Sequence, residues 1–310
     1  MRGAAITGWG HFLPEQVVTN ADFEARLDTS DEWITERTGI RERRMGGTTG
    51  QLAIEAGLSA IKSAGITPAD IDFLVLSTTT PDQTVPATSA VVADAIGIPG
   101  GAMDVNAACA GFVYALVAAK SLIATTYRRV LVVGSDTLSQ ITDQNDRATA
   151  VLFADGAGAV VLEVSEEDRF LGWDLGVDGS AAGILYCDRG GFLQMEGREV
   201  FKRAVRAMVS SANNAMTQAG VGPDDIKLVV PHQANIRIIE AANERLGIPM
   251  ERTAIVLDKT GNTSSGSVPI ALSQAADGGK LDKGDLVLFC GFGAGMTWAS
   301  SIVRWGGATN

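Results

Sequence analysis

The chain has 310 residues, 46% of them hydrophobic and 20% charged, and a net charge of −11. That composition excludes an intrinsically disordered chain. The length is about two domain lengths, and the acidic balance disfavours a general nucleic-acid binder, which neutralises phosphate with surplus Lys and Arg.

No charged-then-apolar leader pattern precedes the strand-like run that opens at Ala4, so the expected location is cytoplasmic. Strand-length apolar runs are predicted at Ala4–Gly8, Phe73–Leu76, Val130–Val133, Ala157–Leu162, Leu228–Val230, Leu286–Phe289 and Trp298–Val303. Several are continuous rather than alternating, as in strands covered on both faces. Helical spacing is predicted between them, over Gln51–Ala64, Ser89–Ile96, Glu199–Ala219 and Arg237–Leu246. The longest apolar stretch, Ala107–Ala119, stops at Lys120, short of a membrane span, and reads as a buried core helix. Alternating strands and helices imply an α/β layered fold.

The order of elements repeats. Ala64-Gly65-Ile66-Thr67-Pro68-Ala69-Asp70-Ile71 is echoed by Ala219-Gly220-Val221-Gly222-Pro223-Asp224-Asp225-Ile226. Each copy leads into a strand, then a helical segment ending in Gly-Ile-Pro, at Gly97 and Gly247. A second echo pairs Asp155-Gly156-Ala157-Gly158-Ala159 with Gly293-Ala294-Gly295-Met296-Thr297. The echoes imply two halves of one repeated design, 1–165 and 166–310. The boundary is expected at the acidic run Ser165-Glu166-Glu167-Asp168, and no Pro- or Ser-rich linker separates the halves.

Cysteines and histidines are few. Cys109, Cys187 and Cys290 show no CxxC spacing, which argues against a disulfide framework or a zinc ribbon. His11 and His232 alone cannot form a multi-histidine metal site. Cys109 lies among small residues in Asn106-Ala107-Ala108-Cys109-Ala110-Gly111, directly before an Ala/Val/Leu helix. A helix N-terminus there would favour the nucleophilic thiolate, and small neighbours would admit an acyl group. A buried, inert core cysteine is the alternative; Cys187 and Cys290 read as structural. His232 follows the strand Leu228–Val230, and Asn262 lies in a polar turn before an apolar helix. All three motifs are expected at the carboxyl ends of strands, where ligands gather in open α/β sheets.

The chain resembles the β-ketoacyl-acyl-carrier-protein synthase III family, of the thiolase-fold superfamily, over almost its whole length. The resemblance is carried by Thr29-Ser30-Asp31-Glu32-Trp33-Ile34 with Arg37-Thr38-Gly39-Ile40-Arg41, and by the Ala-Ala-Cys109-Ala-Gly segment. It continues through Gly134-Ser135-Asp136, Asp155-Gly156-Ala157-Gly158-Ala159, Pro231-His232-Gln233-Ala234-Asn235 with Arg237, and Gly261-Asn262-Thr263-Ser264. It implies a thiolase-like fold, with two βαβαβαββ halves in five layers (α-β-α-β-α), and a homodimer. The implied activity is a decarboxylative Claisen condensation. A short acyl-CoA acylates Cys109, and malonyl-acyl-carrier-protein loses CO2 and attacks the acyl-enzyme, initiating fatty acid biosynthesis. The implied partners are acyl-CoA and malonyl-acyl-carrier-protein, with no metal, redox cofactor, nucleic acid or membrane.

The resemblance also implies roles for single residues. Cys109, His232 and Asn262 are catalytic, and backbone N–H groups of Cys109 and of Ala294 or Gly295 form the oxyanion hole. Trp33, Arg37, Arg147, Gly197 and Asn235 bind CoA, with Trp33 and Arg147 stacking on the adenine; otherwise Arg147 pairs with Asp143 or Asp146. Gln233, Arg237 and Lys202 dock the carrier protein, and Arg198, Arg203 and Arg206 extend a basic helix face. Val85, Phe153, Met195 and Phe201 shape the acyl pocket, Val85 reaching across to the other subunit. Two departures stand out: Ala294 where many relatives have Gly, and a short segment at Ser180–Leu193. The competing readings are a starter-unit synthase or acyltransferase of secondary metabolism and a silent carrier-binding scaffold. A thiolase fits less well, because Cys290 looks misplaced for its second cysteine.

Overall fold

The computed structural model describes residues 2–306. Its first sheet contains β1 (Gly3–Phe12), β2 (Phe73–Ser77), β3 (Gly101–Val105), β4 (Arg129–Thr137) and β5 (Asp155–Ser165), in the order β1-β5-β4-β2-β3. The second contains β6 (Phe170–Val177), β7 (Ile226–Pro231), β8 (Leu286–Gly293) and β9 (Thr297–Arg304), in the order β7-β8-β9-β6. The pairing pattern is the same in both. β2 runs parallel to β4, which is antiparallel to β5, which is antiparallel to β1. Likewise β7 runs parallel to β8, which is antiparallel to β9, which is antiparallel to β6. The first sheet adds β3 beside β2; the second has only the parallel bridge Val229–Thr253 in the matching place.

Seven helices matter for the layers: α1 (Asp31–Thr38), α2 (Thr49–Ser63), α3 (Thr88–Ile96), α4 (Gly111–Thr125), α5 (Gly197–Ala219), α6 (Ile236–Leu246) and α7 (Ser267–Asp277). α2 and α3 cover the outer face of the first sheet, and α5 with α6 the outer face of the second. Between the sheets lie α4 and α7, each touching both. The result is the expected α-β-α-β-α arrangement. The largest apolar cluster sits in the middle layer and joins Phe112, Leu116 and Ile123 to Val132, Val160, Ile270 and Phe289. The stretch Ala108–Thr125 is long and apolar enough to cross a membrane, but it is the core helix between the sheets.

Strands β4 and β5 are buried on both faces, which is why their sequences run continuously apolar. β6 escaped the sequence reading because its run, Phe-Leu-Gly-Trp-Asp-Leu-Gly-Val, is broken by glycine and a charge. At Gly172 a Cβ would sit 2.2 Å from the Ala215 carbonyl oxygen, so close packing of α5 requires the glycine. The second echo is out of register: Asp155 opens β5, whereas Gly293 closes β8 and the matching strand opens at Thr297. The first half passes from β4 to β5 through residues 138–154, the second from β8 to β9 through Ala294–Met296 alone.

Candidate active site

Cys109 is the middle residue of a 3-10 turn, Ala108–Ala110, that follows β3 and runs into α4. Ala108 is held in the left-handed region at φ 48°, a conformation that non-glycine residues adopt only when their surroundings impose it. The Asn106 side-chain oxygen accepts from the Ala108 N–H at 3.1 Å and fixes the turn. The end of β8 lies against it. A Cβ on Gly293 would sit 2.4 Å from the Cys109 nitrogen, so the absence of a side chain there allows the approach. Ala294 and Gly295 follow at once and border a cavity with Cys109. The close fit of Gly293 was not read from the sequence; a glycine two residues before the left-handed Gly295 (φ 72°) is its only trace.

His232 follows β7, as expected, and its N–H donates to the Cys290 carbonyl at 2.8 Å. Its Nδ1 lies 2.7 Å from the Ser267 hydroxyl at the start of α7. Asn262 differs from the expectation, because it follows the single turn Leu257–Thr260 rather than a strand. It is held instead by the 138–154 excursion: its N–H donates to Leu152 O and its carbonyl accepts from Ala154 N–H, both at 2.9 Å. The Asn262 side-chain oxygen accepts from the Ser264 N–H at 2.9 Å, which leaves Nδ2 as the free donor.

These three side chains line one cavity, walled by Leu152, Phe153, Phe292 and Met208. The Cys109 thiol keeps partial exposure to that cavity space, but protein encloses it, and burial pushes it up to about 12. The Ser264 hydroxyl lowers it in part; the Asp136 charge raises it further. Burial thus opposes the thiolate that a helix N-terminus would favour. Burial also lowers His232 to about 4, so the imidazole is neutral. Both shifts favour the uncharged forms, thiol and imidazole, at neutral pH.

Gly197, Asn235, Met195 and Phe201 line the same cavity. Phe153 alone of the expected acyl-pocket residues also borders a second cavity beyond Cys109, walled by Leu138, Ile141, Leu185 and Leu193. Val85 is 81% exposed and lies outside both. Trp33 lines neither cavity and has two guanidinium groups against its ring, Arg37 at 4.7 Å and Arg147 at 4.9 Å from its centre. The ion pair of Arg147 is with Asp28, at 3.6 Å, not with Asp143 or Asp146. Asn235 Nδ2 donates to the Arg37 carbonyl at 2.9 Å and ties α1 to the His232 segment.

Arg237 and Lys202 are exposed, Lys202 pairing with Glu199. Gln233 is not a surface residue, which corrects the docking role expected of it. It is fully buried, and its carboxamide donates to Pro231 O and Ala254 O and accepts from the N–H groups of Val256 and Leu257. The sequence gives no sign of this, because three of the four partners, Ala254, Val256 and Leu257, lie on a loop 21–24 residues away. Cys290 is buried in the cluster under α5 and does not line the cavity of Cys109. Among the described residues, no group of three His, Cys, Asp or Glu side chains could hold a metal ion.

Two family models match the chain. One describes 3-oxoacyl-[acyl-carrier-protein] synthase III and matches residues 103–179; the other describes the C-terminal part of the same synthase and matches residues 216–305. The β-ketoacyl-[acyl-carrier-protein] synthase III 1 of Bacillus anthracis is 49% identical over 307 residues, 97% of this chain and 98% of its own. The solved 3-oxoacyl-[acyl-carrier-protein] synthase III of Aquifex aeolicus superposes with a TM-score of 0.95 at 43% identity, covering 98% of this chain and 100% of that one. A priming β-ketosynthase from a polyketide pathway superposes with a TM-score of 0.94 at 35% identity, over 99% of this chain and 98% of its own.

Proposed function

The chain belongs to the β-ketoacyl-[acyl-carrier-protein] synthase III family, and we propose that Cys109, His232 and Asn262 carry its reaction. The protein is an acyltransferase that condenses an acyl-CoA with malonyl-acyl-carrier-protein, the step that initiates fatty acid synthesis. The observation that supports the residue assignment is the convergence of a thiol, an imidazole and a carboxamide in one enclosed cavity. The starter-unit and silent-scaffold readings are not favoured, since the synthase III of Bacillus anthracis matches at 49% identity and the polyketide ketosynthase at 35%.

The sulfur of Cys109 attacks the acyl thioester and CoA leaves, its sulfur taking the thiol proton. Splitting the reaction through an acyl-enzyme makes each half easier. The tetrahedral oxygen is received by the N–H of Cys109 and one from Ala294 or Gly295. Malonyl thioester then enters on the side of His232 and Asn262. Loss of CO2 leaves an enolate whose oxygen both side chains can face with N–H donors, each worth roughly 10²–10³ in rate. The enolate carbon attacks the acyl group and the Cys109 sulfur leaves as a thiolate, which takes a proton from water to restore the thiol. No step draws on a metal or a redox cofactor.

Trp33 and Arg147 offer flat faces to adenine, with Arg37, Gly197 and Asn235 along the rest of CoA. The two arginines now rest on Trp33 itself, so adenine must displace one of them. Arg237 and Lys202 dock the carrier. A homodimer is supported by the open edge of β3 and by the exposed Val85 and Val91, and Val85 of a second copy would close the cavity beyond Cys109. A branched residue of medium size there fits primers longer than acetyl. The halves 1–165 and 166–310 are the repeated units, and the two substrates point to the cytoplasm.

The test is incubation with a series of acyl-CoAs and malonyl-acyl-carrier-protein, with products weighed by mass spectrometry. A 3-oxoacyl-carrier product and an acyl mass increment on Cys109 are expected. An increment on another residue removes the assignment of the nucleophile.

A further inference from the structure

We propose that Ser267 sets the tautomer of His232, as a positioning residue that makes the imidazole present Nε2–H to the bound thioester. Ser267 opens α7 and is almost fully buried. Its oxygen lies 2.7 Å from His232 Nδ1 and accepts from the Gln233 backbone N–H at 3.3 Å. The hydroxyl makes no other hydrogen bond among the described residues.

Two proton arrangements are conceivable. In the first, the Ser267 hydroxyl donates to Nδ1 and accepts from Gln233, so every group is satisfied and His232 carries its proton on Nε2. In the second, Nδ1–H donates to the hydroxyl oxygen, which then receives two donors. Its own hydrogen is left buried with no acceptor, a state disfavoured by on the order of tenfold or more. The first arrangement prevails. Gln233 enforces it, because its buried carboxamide is held by four backbone groups and its N–H is kept on the Ser267 oxygen.

The chemical consequence follows from which nitrogen meets the substrate. Nε2–H can donate to the enolate oxygen as the bond to CO2 breaks and its electron pair moves toward the thioester. His232 neither gains nor loses a proton in that step. A carboxylate in place of Ser267 would favour imidazolium; a neutral hydroxyl orients the ring without charging it. In its resting tautomer His232 therefore has no free nitrogen in the cavity to accept the Cys109 proton, and acylation proceeds without it as a base.

This inference rests on His232 being the donor proposed above, and the experiment separates the two. The 310-residue chain carries two histidines, so ¹⁵N-histidine NMR resolves both rings, with His11→Gln identifying the other. His232 is expected to show a protonated Nε2 and an unprotonated Nδ1 at neutral pH. Ser267→Ala is expected to lose that pure pattern, with condensation falling at least tenfold while acylation of Cys109 by acetyl-CoA stays within threefold. Ser267→Thr, which keeps the hydroxyl, is expected to restore both. A wild-type spectrum with the proton on Nδ1, or on both nitrogens, overturns the proposal even if Ser267→Ala fails to fold. Condensation unchanged in Ser267→Ala does the same. Condensation surviving in His232→Ala overturns the donor role alone.

Discussion

Ser265 occupies in the second half of the chain the place that Cys109 occupies in the first. Each is the middle residue of a three-residue turn, Ala108–Ala110 or Ser264–Gly266, that feeds a central-layer helix. Each turn opens on a non-glycine residue in the left-handed region, Ala108 at φ 48° and Ser264 at φ 49°. The two side chains have opposite uses. Cys109 borders a cavity, whereas the Ser265 hydroxyl donates to Asp136 Oδ2 at 2.6 Å and lies 2.9 Å from Ser77 O.

Ser265→Ala should therefore cost stability rather than chemistry. It removes a charge-assisted bond to a buried carboxylate, worth roughly 1.5–3 kcal/mol. Urea denaturation measures this. A loss below about 0.5 kcal/mol, on the scale of an ordinary surface change, would count against the structural role.

Gly293→Ala should slow Cys109 acylation on the order of 10²-fold, the effect of spoiling one oxyanion donor. Its new Cβ would meet the Cys109 nitrogen at 2.4 Å and the Ala108 Cβ at 2.9 Å. Mass-resolved acyl-enzyme kinetics give the readout. A wild-type rate would mean that β8 does not set this geometry.

Trp33→Ala should raise KM for acyl-CoA by about tenfold while kcat changes less than twofold, the pattern required by the proposed stacking of the ring on the remote adenine. Steady-state kinetics at saturating carrier substrate decide it, and an unchanged KM removes Trp33 from the CoA site.

Arg237→Ala should weaken use of malonyl-acyl-carrier-protein while acyl-CoA kinetics stay as they were. Equal loss with both substrates would contradict docking. Gln233→Ala should instead destabilise the fold by about 3 kcal/mol, because it strands buried backbone groups.

Acid should act through His232. Its folded-state value is about 4, against the ordinary 6.5. Between those pH values the unfolded chain binds the additional proton, so the contribution is complete above pH 6.5 and is lost as pH falls toward 4. The whole shift corresponds to about 3 kcal/mol. His232→Gln should lose less stability than wild type between pH 7 and 4.5 in urea titrations. Parallel losses in the two proteins would rule out His232 as the source.

Much of this was legible in the sequence. Continuous apolar runs marked β4 and β5, because both faces of those strands are covered, and the Gly-Ile-Pro echoes marked the duplication. Cys109, His232 and Asn262 stood out by residue type and flanks. What stayed hidden depends on contacts between distant segments. Gln233 reads as a polar residue next to His232, and only the fold brings Ala254, Val256 and Leu257 around it. The thiol of Cys109 reads as activated by a helix, and only the enclosing protein shows how strongly burial opposes that. Ser267 reads as one of several serines in a turn.

The excursion at 138–154 has a consequence for how the molecule could be divided. It springs from the first half, yet its backbone at Leu152 and Ala154 grips Asn262 of the second. Separately expressed halves would each carry an intact sheet, but the second alone would lack the backbone bonds from Leu152 and Ala154 that hold Asn262. Mixing two such fragments would restore turnover only in proportion to their reassociation.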